Sequence, residues 1–197
     1  LPEHQARTII QQVLETVAAM HRRGWVHRDL KLENIITDSR TGTSKIIDFG
    51  FAVRQRKTGA HCEGAIGTAH YVAPEVVWDR TYDGRAVDMF ALGVTLYIML
   101  YGRYPFCQRG NFGVSPHMGT SEKQAFSAGY RFPHHPAVSE EAKGFIRSLL
   151  ASNPADRPTA EQALHNQSWV RHPDYQRREP FSELESEDEG KIGSGDP

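Results

Sequence analysis

The sequence has little cysteine and almost no net charge, and both features limit what the protein can be. Cys62 and Cys107 are its only cysteines, and they provide neither a metal-binding spacing nor a disulfide framework. Such low cysteine use is typical of a reducing compartment, so we expect an intracellular protein, cytoplasmic or nuclear. The net charge of −1 argues against a nucleic-acid partner that is bound through overall charge.

Long hydrophobic runs and targeting segments are also lacking. The most apolar run, Met89–Leu100, is too short to span a bilayer and directly follows Asp88. The first residues show no secretory signal pattern. We therefore expect a soluble protein with no membrane partner. The length of 197 residues and the hydrophobic content of 39% suit one globular domain with a tail.

Hydrophobic periodicity predicts a mostly α-helical fold with a small β element near the start. Apolar residues recur at helical spacing over residues 3–23, and Ser139 suits the N-cap of a later amphipathic helix. Residues 87–101 are apolar on nearly every face, which indicates a central helix surrounded by protein. Two short β-compatible segments lie on either side of the turn signal Thr41-Gly42.

Three further segments complete the expected organisation. Thr159 and Gln162 form a capping-box pattern for one more helix. Residues 51–69 are charged, Gly-rich and without period, which indicates a long mobile loop of functional importance. Residues 179–197 are acidic and nearly free of large apolar groups, so we expect a disordered tail after a domain that spans residues 1–178.

One short loop concentrates side chains that can handle a phosphate and a metal ion. The sequence VHRDLKLENI places Asp29, Lys31 and Asn34 close together between two apolar stretches. A carboxylate can accept a proton, an ammonium can neutralise charge on phosphoryl oxygens, and an amide oxygen suits Mg²⁺. The loop is therefore a candidate active site.

An ordered set of motifs connects this loop with a known family. His27-Arg28-Asp29 is followed by Asp48-Phe49-Gly50 and then by Ala73-Pro74-Glu75. In this order and spacing the motifs resemble the C-terminal, larger lobe of a eukaryotic protein kinase, and the resemblance covers residues 3–172. The later segments LGVTLYIMLYGRYPF and NPADRPTAEQAL are similar to those of the calcium/calmodulin-dependent kinase group.

The resemblance implies a phosphoryl-transfer role for each polar residue of the loop. Asp29 would accept the proton of a substrate hydroxyl, and Lys31 would stabilise charge on the phosphoryl group transferred from ATP. Asn34 and Asp48 would provide oxygen ligands for Mg²⁺. The implied contacts with ATP and Mg²⁺ are made by Lys31, Glu33, Asn34, Ile36 and Asp48.

Two features of the resemblance concern the substrate. Lys31 together with Gly67-Thr68 resembles serine/threonine kinases rather than tyrosine kinases, and Thr68 would line the floor beneath the residue after the phosphorylated hydroxyl. Glu33 matches the acidic position that pairs, in basophilic members, with an Arg upstream of that hydroxyl. A solvated surface carboxylate is an equal alternative for Glu33. The expected partners are therefore protein substrates, some of them with upstream basic residues.

Other matching residues have structural roles in the family. Glu75 and Arg157 resemble a buried ion pair that joins the peptide-binding loop to a late helix. Asp88 resembles the residue that holds the backbone of the catalytic loop. Core packing is expected for His27, Phe49, Ile35 and Ile36. The implied structural set is His27, Arg28, Phe49, Gly50, Glu75, Asp88 and Arg157.

The position of Arg28 beside Asp29 bears on regulation. This pair is typical of kinases in which an anion on the mobile loop docks against the Arg. The usual hydroxyl position is here Gly64, preceded by Glu63, and Thr58 is another candidate hydroxyl. We hypothesise that Glu63 substitutes for a phosphate, or that no phosphorylation is required.

The sequence lacks the N-terminal half of a kinase site. No Gly-rich phosphate loop, no strand Lys and no partner Glu for that Lys occur in it. We therefore expect weak or no ATP binding by this chain alone and an exposed apolar face. Two classes remain open. The chain is either part of an active serine/threonine kinase, which its intact phosphoryl-transfer residues favour, or a kinase-derived binding or scaffold module.

Overall fold

The computed structural model describes five stretches of the chain, which are residues 1–55, 62–64, 66–79, 81–106 and 129–171. Within them the chain is mainly α-helical with three pairs of short antiparallel strands, as the sequence predicts for the fold class. The predicted tail at 179–197, Thr58 and Cys107 lie outside the described residues.

Five α-helices carry most of the described structure. Each amphipathic or apolar segment that the sequence singles out lies in one of them. The helices are α1 (Glu3–Arg22), α2 (Pro74–Trp78), α3 (Gly84–Tyr101), α4 (Glu140–Leu149) and α5 (Ala160–Asn166).

The strands are two or three residues long and pair antiparallel. The register aligns Trp25 with Arg54, Ile35 with Ile46, and Cys62 with Tyr82. The strands are β1 (Trp25–Val26), β2 (Ile35–Thr37), β3 (Ser44–Ile46), β4 (Val53–Arg54), β5 (Cys62–Glu63) and β6 (Thr81–Tyr82).

Two of these strands correct the prediction of an unstructured loop over residues 51–69. β4 pairs with β1 and β5 pairs with β6, so this segment is hydrogen-bonded to the rest of the fold at two places, residues 53–54 and 62–63. A two-residue strand is too short to show an alternating pattern, which is why periodicity did not reveal it.

The helix α3 forms the centre of the core, as predicted. It is 18 residues long and apolar enough to cross a membrane by length and composition. The prediction that the run Met89–Leu100 is too short to span a bilayer is therefore wrong for the helix as a whole. However, 83% of that window is buried inside the fold, which is the pattern of a core helix. Packing is close at Gly93, where a Cβ would lie 2.8 Å from side-chain atoms of Leu149 and Leu150. The helix pair α3–α4 therefore requires glycine at this position.

Side-chain caps fix the starts of the two later helices. The Ser139 hydroxyl accepts a hydrogen bond from the Ala142 amide at 3.1 Å. Thr159 and Gln162 form the predicted capping box, in which each side chain accepts from the backbone amide of the other. Both caps were predicted from sequence and are confirmed, because the capping residues act within one helical turn.

Glu3 joins the start of α1 to the C-terminal part of the fold. Its carboxylate accepts hydrogen bonds from the Ser139 amide at 2.9 Å, the Ser139 hydroxyl at 2.7 Å and Trp169 Nε1 at 2.8 Å. Burial alone would raise the pKa of Glu3, but the bonds from Ser139 and Trp169 and the nearby Arg7 lower it below the usual value. The ionised form of Glu3 therefore stabilises the fold.

Glu3→Gln is expected to lower the free energy of unfolding by roughly 1–2 kcal/mol at about pH 7, because the amide offers one acceptor oxygen and no charge. Since the folded-state pKa of Glu3 is lowered, this contribution is complete above the unfolded pKa of about 4.5 and disappears as the pH falls through the folded-state pKa. Urea unfolding between about pH 3 and pH 7 measures the difference. The exposed Glu141→Gln is the matched control, and an equal loss in the two variants would contradict the prediction.

Candidate active site

Three side chains meet at the centre of the loop between β1 and β2. Lys31 Nζ donates to Asp29 Oδ2 at 2.8 Å and to Thr68 Oγ1 at 2.9 Å. The Thr68 hydroxyl in turn donates to Asp29 Oδ1 at 2.7 Å. The Asp29 side chain is 3% exposed, and that of Lys31 is 20% exposed. The loop therefore presents a buried carboxylate beside an ammonium that remains partly open to solvent.

Asn34 is held beneath this group by a single turn of 3₁₀ helix, Leu32–Asn34. Its side-chain amide Nδ2 donates to the Asp29 carbonyl oxygen at 2.9 Å, and the residue is buried. The backbone carbonyl oxygen of Asn34 accepts a hydrogen bond from the Ile47 amide at 2.9 Å. Asp48 directly follows Ile47, so this bond holds the backbone of Asn34 beside the segment that carries Asp48, the other sequence-predicted magnesium ligand.

Asp48 adopts an uncommon backbone conformation. Its φ of 61° lies in the left-handed region, which Asp tolerates better than most residues. The carboxylate oxygen Oδ1 accepts from the Gly50 amide at 3.0 Å, and a Cβ at Gly50 would lie only 3.1 Å from the same oxygen. The glycine of the Asp48-Phe49-Gly50 motif therefore leaves room for the carboxylate.

The backbone of the loop is held from below by Asp88 in α3. Its carboxylate accepts from the His27 amide at 2.9 Å, the Arg28 amide at 2.8 Å and His21 Nε2 at 2.8 Å. Arg28 has a φ of 66°, a strained conformation that costs about 1–3 kcal/mol. The bonds to Asp88 offset this strain, as the predicted role requires. Sequence reasoning missed His21, whose only signal is a polar residue on the buried face of α1.

The aromatic and aliphatic residues around the site are only partly buried. His27 is fully buried, and its ring centroid lies 5.1 Å from that of Phe49. The prediction of core packing is wrong for Phe49, which is 50% exposed, and for Ile36, which is 54% exposed. Both belong to a set of large apolar residues in this part of the chain that are more than a third exposed, namely Ile36, Ile47, Phe49 and Phe51. Their exposure is consistent with the expected apolar face.

Glu33 is exposed, yet it has a buried partner. The Tyr71 hydroxyl donates to Glu33 Oε2 at 2.9 Å, and Tyr71 itself is 3% exposed. Burial and this hydrogen bond to a carboxylate both raise the pKa of Tyr71. The tyrosine therefore stays protonated and fixes the position of the Glu33 carboxylate at the surface.

Arg28 is engaged by the polypeptide itself. Its Nε donates to the Phe51 carbonyl oxygen at 2.8 Å. Glu63 lies on the exposed side of β5, and within the described residues no ion pair joins it to Arg28. The contact that a phosphate-mimicking Glu63 requires is thus missing in this conformation. The alternative, that no phosphorylation is required, stays a prediction.

The predicted ion pair between Glu75 and Arg157 is present and buried. The guanidinium nitrogens of Arg157 donate to the two Glu75 oxygens at 2.6 and 2.8 Å. Arg157 also donates to the carbonyl oxygens of Ala86 and Ala151, and it lies over the Phe90 ring at 4.8 Å. This geometry attaches α2, which follows the segment carrying Thr68, to the end of α4 and the start of α3.

The residues present fit a magnesium ion that is shared with a phosphate. Among the described residues no group of three or more His, Cys, Asp or Glu side chains could hold a metal ion alone. Asn34 and Asp48 provide one amide and one carboxylate, and the Asn34 amide nitrogen is already engaged by Asp29. Because Mg²⁺ commonly takes one or two protein ligands together with substrate phosphates and water, such a pair is sufficient.

Comparison with known proteins shows the family to which the chain belongs. The family model of the protein kinase domain matches residues 1–170, and the chain therefore belongs to the protein kinase domain family. This match confirms the family resemblance that was inferred from the ordered motifs.

Individual relatives are kinases by name, and one of the three described below is named a serine/threonine-protein kinase. The chain is 37% identical over 173 residues to CBL-interacting serine/threonine-protein kinase 9 of Arabidopsis thaliana, covering 87% of this chain and 36% of the relative. It is 38% identical over 172 residues to calcium/calmodulin-dependent protein kinase type II subunit delta of Oryctolagus cuniculus (86% and 31%). Sperm motility kinase Z of Mus musculus is 36% identical over 170 residues (86% and 32%). The chain thus spans about a third of the length of these relatives.

Proposed function

We propose that the protein is a serine/threonine protein kinase that transfers the γ-phosphate of ATP to hydroxyl groups of protein substrates. The observation that carries the proposal is the contact between Asp29, Lys31 and Thr68, with Asn34 bonded beneath them. It combines a proton acceptor, a cation and a magnesium ligand in one buried loop. These are the parts that phosphoryl transfer needs, because catalysis there depends on positioning and charge neutralisation.

Asp29 is proposed to orient the substrate hydroxyl and accept its proton. Both of its carboxylate oxygens have partners, and one of these is the hydroxyl of Thr68. An incoming substrate hydroxyl offers the same kind of donor, so it can take a place beside the carboxylate without leaving a buried charge unpaired. Burial keeps water from competing for the carboxylate.

Lys31 is proposed to neutralise charge on the transferred group. Its ammonium already bridges Asp29 and Thr68, so it is fixed beside the carboxylate that is proposed to orient the substrate hydroxyl. Asn34 and Asp48 would hold Mg²⁺, which would supply Lewis-acid stabilisation of the phosphate oxygens. Preorganised positive charge of this kind lowers the barrier because it requires no rearrangement during the reaction.

The substrate class rests on the segment that carries Thr68. Lys31 Nζ donates to Thr68 Oγ1 at 2.9 Å, which supports a position of the substrate hydroxyl near the Gly67-Thr68 backbone. A short side chain such as Ser or Thr then suffices to reach Asp29, whereas a Tyr hydroxyl lies several ångströms further from its backbone. We propose protein Ser and Thr as acceptors and an intracellular location, cytoplasmic or nuclear, on the basis of the low cysteine content.

We propose that these residues form the larger lobe of the kinase fold. The sequence contains no Gly-rich phosphate loop and no strand Lys. The exposed Ile36, Phe49 and Phe51 are consistent with a face that another part of the protein covers. ATP binding by this chain alone is therefore expected to be weak. Activity is to be tested on the protein expressed from its complete coding sequence.

The direct test is transfer of labelled phosphate from Mg-ATP to a peptide library with Ser, Thr or Tyr as the acceptor. Mass spectrometry then identifies the modified side chain. We expect label on Ser and Thr peptides only. A protein that binds Mg-ATP but labels no peptide would favour the kinase-derived scaffold over the enzyme, and label on Tyr peptides alone would contradict the substrate class.

Glu33→Gln is expected to raise the KM for peptides with an upstream Arg by roughly 10-fold with little change in kcat, because the ion pair with the guanidinium is replaced by a weaker hydrogen bond to an uncharged amide. Peptides with Ala at that position should show no change. Steady-state kinetics with the two peptides measures the difference. Glu141→Gln, an exposed residue of α4, serves as the control. Equal KM values for both peptides in the wild type would instead support a solvated carboxylate.

A further inference from the structure

A buried glutamine lies just after β4, outside the group of residues that the proposed reaction uses. Gln55 is 4% exposed. Its Nε2 donates to Asp83 Oδ1 at 2.9 Å, and its Oε1 accepts from the Gly84 amide at 3.2 Å and from Cys62 Sγ at 3.8 Å. Its backbone amide donates to the Gly24 carbonyl at 2.6 Å. One side chain thus connects the segment after Asp48 with β5 and with the start of α3.

The start of α3 is fitted closely around this glutamine. A Cβ at Gly84 would lie 2.8 Å from Val26 Cγ2, 3.0 Å from Cys62 Sγ and 3.1 Å from Gln55 Oε1. Asp83 is the N-cap of the helix and accepts from the Arg85 amide at 3.0 Å. The Gln55 amide therefore holds the capping residue and the first helical residue together, in a place without room for rearrangement.

The same end of α3 holds the catalytic loop. Asp88 lies about one helical turn beyond Gly84 and accepts the amides of His27 and Arg28. Asp29 is the next residue after Arg28. Any shift of the first turn of α3 is therefore passed to the backbone that carries Asp29, through hydrogen bonds of 2.8 and 2.9 Å.

We infer that Gln55 is a positioning residue, whose buried amide sets the first turn of α3 and thereby the catalytic loop that α3 holds through Asp88. The inference rests on the proposed phosphoryl transfer. Within the described residues, hydrogen bonds of Gln55 lead to Asp83, Gly84, Cys62 and Gly24 and not to Asp29 or Lys31, so it acts through other residues. An uncharged amide suits this place, because it provides a donor for Asp83 and an acceptor for Gly84 at once.

The first test replaces the amide and keeps the volume. Gln55→Met retains an unbranched side chain but loses both hydrogen-bonding functions. Gln5→Met makes the same chemical change at an exposed position of α1. We expect Gln55→Met to lower kcat by roughly 10-fold with the KM for ATP unchanged, since small displacements of a catalytic group reduce the rate without removing binding contacts. Gln5→Met should match the wild type.

A reversal of the hydrogen bond gives a sharper test. Gln55→Glu places a second carboxylate against Asp83 and is expected to reduce kcat further. In the double variant Gln55→Glu/Asp83→Asn, the Asn amide can donate to the new carboxylate, and Asn serves as an N-cap as well as Asp does. We expect the double variant to recover most of the kcat that Gln55→Glu loses. A double variant no better than Gln55→Glu would overturn the inference.

A readout that does not depend on phosphate transfer separates this inference from the proposed function. Hydrogen exchange of the peptide containing the His27 and Arg28 amides should be faster in Gln55→Met than in the wild type and in Gln5→Met. Unchanged exchange would overturn the inference even in an inactive protein. A fall in kcat that merely follows the folded fraction, measured by circular dichroism, would also overturn it, because the role would then be one of global stability. If the wild-type protein transfers no phosphate, that result counts against the proposed function and not against the role of Gln55 in positioning the loop.

Discussion

Asp29→Asn is expected to reduce kcat for phosphate transfer by roughly 10³-fold, the range that loss of a proton-accepting group usually produces. Asn keeps the shape of the side chain and an oxygen that can accept from Lys31 or Thr68. It loses the negative charge that is proposed to orient the substrate hydroxyl and accept its proton. Because the loop geometry is preserved, the KM for ATP should change little. Labelled phosphate transfer under saturating Mg-ATP measures the effect.

The controls for Asp29→Asn distinguish a chemical from a structural loss. Asp79→Asn makes the same substitution at an exposed position next to α2 and should leave kcat unchanged. Asp48→Ala is expected to abolish turnover by a separate route, loss of a magnesium ligand, which should appear as weaker binding of Mg-ATP. Near-normal kcat in Asp29→Asn would show that this carboxylate does not act in the reaction.

Features with local causes could be predicted from the sequence. The helix starts at Ser139 and Thr159 depend on side chains that bond within their own first turn. The buried character of α3 follows from apolar residues on every face. The family resemblance predicted the position of Asp88 beneath the loop that carries Asp29. It also predicted the pairing of Glu75 with Arg157, which lies 82 residues further along the sequence.

Contacts between distant, non-periodic residues could not be predicted. Nothing in the pattern around Gln55 indicates a bond to Asp83, because a single polar residue after a two-residue strand has no detectable period. The same holds for the bond from Tyr71 to Glu33. The exposure of Phe49 was missed for a different reason, since burial of an apolar side chain depends on which other elements lie above it.

Arg157→Ala is expected to lower the free energy of unfolding by about 3–5 kcal/mol, the usual cost of leaving a buried charge without its partner. The Arg157 guanidinium is fully buried and bonded to both oxygens of Glu75, so its removal leaves that carboxylate in the core. The carbonyl oxygens of Ala86 and Ala151 lose a donor at the same time. Urea unfolding of the wild type and the variant measures the difference.

Two comparisons show whether the cost comes from the unpaired charge. Arg22→Ala removes an ion pair with Glu161 whose side chains are 57% and 53% exposed, and it should cost no more than about 1 kcal/mol. Replacing both partners, in Glu75→Leu/Arg157→Met, should recover part of the loss, because no charge then remains buried. The recovery is incomplete, since the two carbonyl oxygens still lack their donor. A double variant as unstable as Arg157→Ala would mean that the loss of the hydrogen bonds to the two carbonyls, and not the unpaired Glu75 charge, causes the destabilisation.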